Sequence, residues 1–174
     1  MQTVAHTKNA ETPPPAMPER LEELLALDAR DLRLLYEAAR TPRLPDLSGT
    51  LRGRILALSV GGLPAAASRA WASSNLFPWK GKTFRHTGDT TGTGDNTLFL
   101  DRFHAWKFAT SIGRSRAGAF DAVHLDYDLP GNPLYLRVIK DELRELRPQL
   151  YLGQFYLVVG ARTPRLIGYF GLTG

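Results

Sequence analysis

One change of rhythm divides this chain at Pro45. Before it, apolar residues recur at helical spacing: Leu21, Leu24 and Leu25, then Leu32, Leu35 and Tyr36. Glu19, Glu22 and Glu23 gather where a helix dipole favours acids. Asp28 can cap a second segment running to about Arg40, so the stretch reads as one kinked helix or two short ones. Pro42 and Pro45 cannot continue a helix. After Pro45 the period switches towards 2, and short alternating runs separated by turn residues call for an antiparallel sheet.

Strands are expected at residues 50–58, 79–86, 97–100, 103–112, 120–129, 134–139, 151–159 and 165–172. Pro130-Gly131-Asn132 predicts a turn between the fifth and sixth of these, because Pro presets φ and Gly and Asn tolerate positive φ. Ala-rich residues 64–75 predict one short inserted helix. The run GDTTGTGDN (88–96) reads as a loop, and DELRELRP (141–148) as a polar connection. Seven or eight antiparallel strands leave two edges that must be closed or covered. Short sequential connections favour an up-and-down, calycin-like β-barrel over its competitor, a two-sheet sandwich. The domain plan is a disordered tail at 1–17, an N-terminal helical segment at 18–42 and the barrel at 46–174.

Composition excludes several classes of function. The chain has no cysteine, so disulfides, thiolate metal sites and a cysteine nucleophile are ruled out. No window approaches the ~18 consecutive apolar residues of a membrane span, and the first twenty residues lack the apolar core of a secretory signal. A cytoplasmic address and no membrane partner are therefore expected. Lys and Arg total 22 against 17 Asp and Glu, a net charge of +5. The bases are scattered singly, not in a stripe interleaved with aromatics, so no nucleic-acid partner is expected. The oligomeric state has no signature in the sequence.

Four short blocks carry a resemblance: Ser48-Gly49-Thr50-Leu51-Arg52-Gly53, Pro78-Trp79-Lys80-Gly81-Lys82-Thr83-Phe84, Asn96-Thr97-Leu98-Phe99, and residues 141–153 (DELRELRPQLYLG). In order and spacing they resemble the bacterial GXWXG-type family of small proteins of unknown function, with Leu51-Arg52 where that family places its Trp. The resemblance covers about residues 46–172. It implies a fold similar to the lipocalin/calycin barrels, with no particular activity and no catalytic residue to carry over.

Among candidate site residues, His124 and Asp126 share one face of a strand. If that face points inward, His124 is a candidate general base oriented by Asp126. If it points outward, the polar face is solvated and Val123, Leu125 and Tyr127 are core. His104 shares a face with Trp106 and Phe108, and reads either as a core histidine or as a ligand contact. Arg137 stands in an apolar run beside Tyr135, where it would need a buried acceptor or a ligand carboxylate. Trp79, Trp106, Tyr127, Tyr135 and Tyr156 supply aromatic surface for a cavity or for a solid core. His86, His104 and His124 lack metal-ligand spacing, so neither a metal nor a cofactor is expected. The reading that follows is a barrel binding a hydrophobic small molecule. The alternative is a cofactor-independent isomerase, cyclase or lyase using the His124–Asp126 pair.

Overall fold

The computed structural model describes residues 15–58, 74, 78–99 and 103–174. Eight strands follow one another: β1 (Gly49–Leu58), β2 (Trp79–His86), β3 (Thr91–Leu98), β4 (Phe103–Arg114), β5 (Asp121–Asp126), β6 (Ile139–Arg147), β7 (Leu150–Leu157) and β8 (Arg165–Thr173). Each pairs antiparallel with the next, and β8 returns to pair with β1. The sheet is thus a closed up-and-down barrel, as expected, and the sandwich is excluded.

Alternation then sorts the side chains. Leu51, Phe84, Phe108, Val123, Leu125, Tyr127, Leu143, Tyr151 and Phe170 form one cluster inside the barrel. Leu56, Leu146, Leu150, Leu152 and Tyr169 point outward and form a second cluster with Leu21, Leu24, Leu32, Leu35 and Tyr36. The outer cluster explains the N-terminal segment. It forms two short helices, α1 (Leu21–Leu24) and α2 (Ala29–Ala38), whose apolar stripes cover the outside of the sheet. Burying each such leucine contributes roughly 1.5–3 kcal/mol. Asp28 caps α2 by accepting from the Asp31 backbone N–H at 2.9 Å, a contribution of about 1 kcal/mol. A 3₁₀ turn at Leu44–Asp46 then carries Leu44 and Leu47 into the inner cluster, beside Leu51 and Phe84.

Three local expectations are corrected. Most of the GDTTGTGDN run is strand β3. Its glycines serve close packing: a Cβ on Gly94 would overlap the Phe108 ring and the Thr83 carbonyl of β2. The DELRELRP run is not a surface connection but most of β6, buried from Asp141 to Leu146. The expected return strand at 134–139 is a single helical turn, α3 (Leu134–Arg137), and β5 pairs with β6 instead. Leu134 and Tyr135 are both strongly exposed, so that alternation had no face to bury. The helix expected at 64–75 lies, but for residue 74, outside the described residues, as does the tail before residue 15.

Candidate functional site

An ionised lysine is a costly thing to put inside an apolar barrel, yet Lys82 of β2 is only 2% exposed. Its position follows from pleat geometry, since Lys82 shares the inward face of β2 with Phe84. The ammonium makes three hydrogen bonds, to Asn96 Oδ1 at 2.9 Å, to the Tyr127 hydroxyl at 2.5 Å and to Asp141 Oδ2 at 2.9 Å. Four rings surround it, with Trp79, Phe108, Tyr127 and Phe170 centroids 5.1–5.5 Å from Nζ. Burial pulls the ammonium below its ordinary pKa, against the opposing attraction of Asp141. Burial pushes the Tyr127 phenol well up, and the neighbouring Asp141 charge adds to this.

The hydrogen bonds can be counted to closure. Asn96 Oδ1 accepts from Lys82 and from Trp79 Nε1 (2.8 Å), while its Nδ2 donates to the Trp106 carbonyl (3.1 Å) and to Tyr127 (3.2 Å). Tyr127 accepts from Lys82 and Asn96 and donates to Asp141 Oδ2 at 2.9 Å. Every donor and lone pair of Lys82, Asn96 and Tyr127 is therefore engaged. Among the described residues, Asp141 Oδ1 alone in this group accepts nothing.

Beside this node the barrel wall is incomplete. β4 pairs with β5 only from Ala109 to Arg114, so Phe103–Phe108 lacks that neighbour. At Trp106, where φ is +60°, the strand bulges, and its register against β3 shifts between Gly94 and Asn96. The Asn132 amide bridges the gap, donating to the carbonyls of Lys107 (2.7 Å) and Tyr127 (2.8 Å). A cleft of about 260 Å³ opens there, lined by Asp95, His104, Ala105, Trp106, Lys107 and residues 130–132. His104 Nδ1 hydrogen-bonds Asp95 Oδ1 at 2.6 Å, and Arg85 holds the other oxygen at 2.7 Å.

The nine candidate residues thus fall into separate places. Trp79 and Tyr127 lie at the interior node, and His104 and Trp106 at the cleft. Arg137, on α3, donates to the Asn132 carbonyl at 3.1 Å beside that cleft, while Tyr135 is exposed. His124 and Asp126 face away from the interior. His124 accepts from Arg116 at 3.1 Å and donates through Nε2 to the Arg114 carbonyl, while Asp126 pairs with Lys140. Tyr156 also faces outward, donating to Gln154 Oε1 at 2.5 Å.

That outer face holds a second polar cluster with a structural purpose. Glu142, 0% exposed, accepts from Ser115 Oγ (2.6 Å), Tyr36 (3.2 Å), the Arg116 backbone (2.9 Å) and the Arg116 guanidinium (2.7 Å). It ties α2 and the β4–β5 connection to β6. Arg144 lies 4.0 Å from the Phe120 ring centroid and donates to the Ala39 carbonyl. Among the described residues no three metal-ligating side chains come together, and no helix is long and apolar enough to cross a membrane.

Lys82 and Asn96 were not anticipated as site residues, and Asp141 read only as one member of a polar run that solvates a connection or binds a polar ligand head. Lys82 carried a usable signal, a cation sharing a strand face with Phe84, although Lys80 alternates onto the same face. Asn96 carried none, because its stretch read as a loop.

A scan against family models and a search of curated proteins find no match. Among solved structures, the chain is similar to a protein from Thermomonospora curvata, with 17% identity over 88% of this chain and 94% of that one and a TM-score of 0.49.

Proposed function

We propose that the barrel binds a small, largely apolar molecule and holds its polar end at the Lys82–Asp141–Tyr127–Asn96 node. The observation that carries this reading is the buried ion pair itself. Taking two charges out of water costs several kcal/mol per ion, and apolar side chains of the same volume would hold a barrel together as well or better. An ion pair enclosed by four aromatic rings is the composition of a ligand site, in which apolar walls provide affinity and a few polar atoms fix orientation. The incomplete wall beside Trp106 gives a route of entry. Kinship with the GXWXG-type proteins belongs to the same proposal. Each of its four blocks reaches the node: Lys82 with Trp79, Asn96, Asp141, and Gly53, whose missing side chain leaves room for the Trp79 ring.

Native mass spectrometry of the purified protein, paired with titration of an apolar fluorescent probe, tests the reading. A bound apolar species, or a probe displaced by Trp79→Leu and Trp106→Ala, is expected. A protein that carries nothing and takes up no probe overturns it.

One observation favours an enzymatic second reading. The acid–base pair sought at His124 and Asp126 has a better counterpart in His104 and Asp95, which are in hydrogen-bond contact at the cleft. If a turnover is found, His104→Gln should abolish it and His124→Gln should not.

A further inference from the structure

The polar end of the ligand can be specified from the valences at the node, given the binding reading above. All three Lys82 protons, the Tyr127 proton and both Asn96 amide protons are already donated, as is the Trp79 indole proton. Among these four residues no donor is left for a ligand carbonyl, ether or carboxylate. The open position is an acceptor, Asp141 Oδ1. The Asp141 side chain keeps 6% of its surface accessible, and among the described residues no hydrogen bond ends on its Oδ1. We propose that the barrel selects a neutral apolar alcohol or phenol, whose hydroxyl donates to Asp141 Oδ1.

Charge narrows the choice further. A ligand carboxylate would face an acceptor of its own sign and find no free proton. A ligand ammonium would find an acceptor but would sit beside Lys82, already 2.9 Å from the same carboxylate. In a site screened by protein instead of water, that repulsion is strong. A hydroxyl meets neither obstacle. Lys82 then has a positioning role: it holds Asp141 Oδ2 at 2.9 Å and so leaves the second oxygen to the ligand.

The test is a set of ligands on one skeleton, binding the intact protein and read by quenching of tryptophan fluorescence: 2-naphthylmethanol, its methyl ether, 2-naphthaldehyde, 2-naphthoate and 2-naphthylmethylamine. The alcohol is expected to bind at least about tenfold more tightly than the ether and the aldehyde, the gain from one hydrogen bond to a charged acceptor. The naphthoate and the amine should be weaker than the alcohol. In Asp141→Asn the amide oxygen must accept from Lys82 and Tyr127, so the NH₂ turns to the open side. The preference should then reverse, with the aldehyde and ether bound more tightly than the alcohol. Equal binding of all five ligands by the wild type, or a preference for aldehyde or naphthoate, overturns the hydroxyl assignment and leaves the apolar-binding reading standing. Binding of none of them overturns both. If Asp141→Asn does not fold, the wild-type series alone decides.

Discussion

A buried ion pair kept for binding should be dispensable for stability, and a mutant cycle at Lys82 and Asp141 measures this. Lys82→Met alone leaves a buried carboxylate without its counter-ion, and Asp141→Leu alone leaves a buried ammonium. Each should cost roughly 3–5 kcal/mol. Replacing both removes the desolvation of two charges, a gain of about 1–4 kcal/mol in comparable swaps. The structure says what offsets that gain. Tyr127 loses the acceptor of its only proton, at a cost of about 1–3 kcal/mol. Asn96 stays satisfied, since Trp79 still donates to it and it still donates to Trp106. The double variant should therefore lie within about 1–2 kcal/mol of wild type, and adding Tyr127→Phe should bring the triple variant level with wild type or above it. Urea denaturation followed by circular dichroism gives these numbers, and each kcal/mol should move the melting temperature by about 2–4 °C at this chain length. Single variants that cost under about 1 kcal/mol, or a triple variant still more than about 3 kcal/mol below wild type, would refute the reasoning. The ion pair would then be a stabilising element and no sign of a ligand site.

The outer face and the barrel wall give further tests. Glu142→Leu should cost about 3–5 kcal/mol by urea denaturation, because it strands partners already drawn from Ser115, Tyr36 and Arg116; a cost under about 1 kcal/mol would mean that α2 is not held there. Gly94→Ala should lower stability by about 1–3 kcal/mol, since its methyl overlaps both the Phe108 ring and the β2 backbone; an unchanged melting temperature counts against that packing. Burial pushes Tyr151 up to about 12, helped by the charges of Glu145 and Asp46, and also raises Tyr36, Tyr127, Tyr156 and Tyr169. An unfolded tyrosine releases its proton near pH 10 and these folded ones later, so the unfolded chain binds fewer protons in that window. Stability should fall as the pH climbs from about 10 towards 12, by up to about 1.4 kcal/mol per pH unit for each such tyrosine. A urea midpoint that stays flat over this range would contradict their burial.

Much of the architecture was legible because alternation is a local property. The helix cap at Asp28 and the strands that pair in sequential order can be read from neighbouring residues, whereas the alternation of β5 gave two faces without saying that Val123, Leu125 and Tyr127 turn inward. The stretches that misled are those where neighbours from elsewhere in the chain cover both faces. β6 reads as polar because Glu142 and Arg144 on its outer face are buried by the helical segment and the β4–β5 connection, while Asp141 on its inner face is neutralised by a lysine 59 residues away. β3 reads as a loop because its glycines are fitted to Phe108 of the next strand and the backbone of the previous one.

The sequence by itself determined that an apolar-alternating chain, once past Pro45, would pair its strands in order, since hydrogen bonding and pleat period act between near neighbours. Only the tertiary structure decided where the charges went. Closing β8 onto β1 creates an inside, and that inside gathers Lys82, Asn96, Tyr127 and Asp141 from four different strand regions. A side chain's electrostatic partner is set by where the barrel wall passes, and no window of neighbouring residues contains that information.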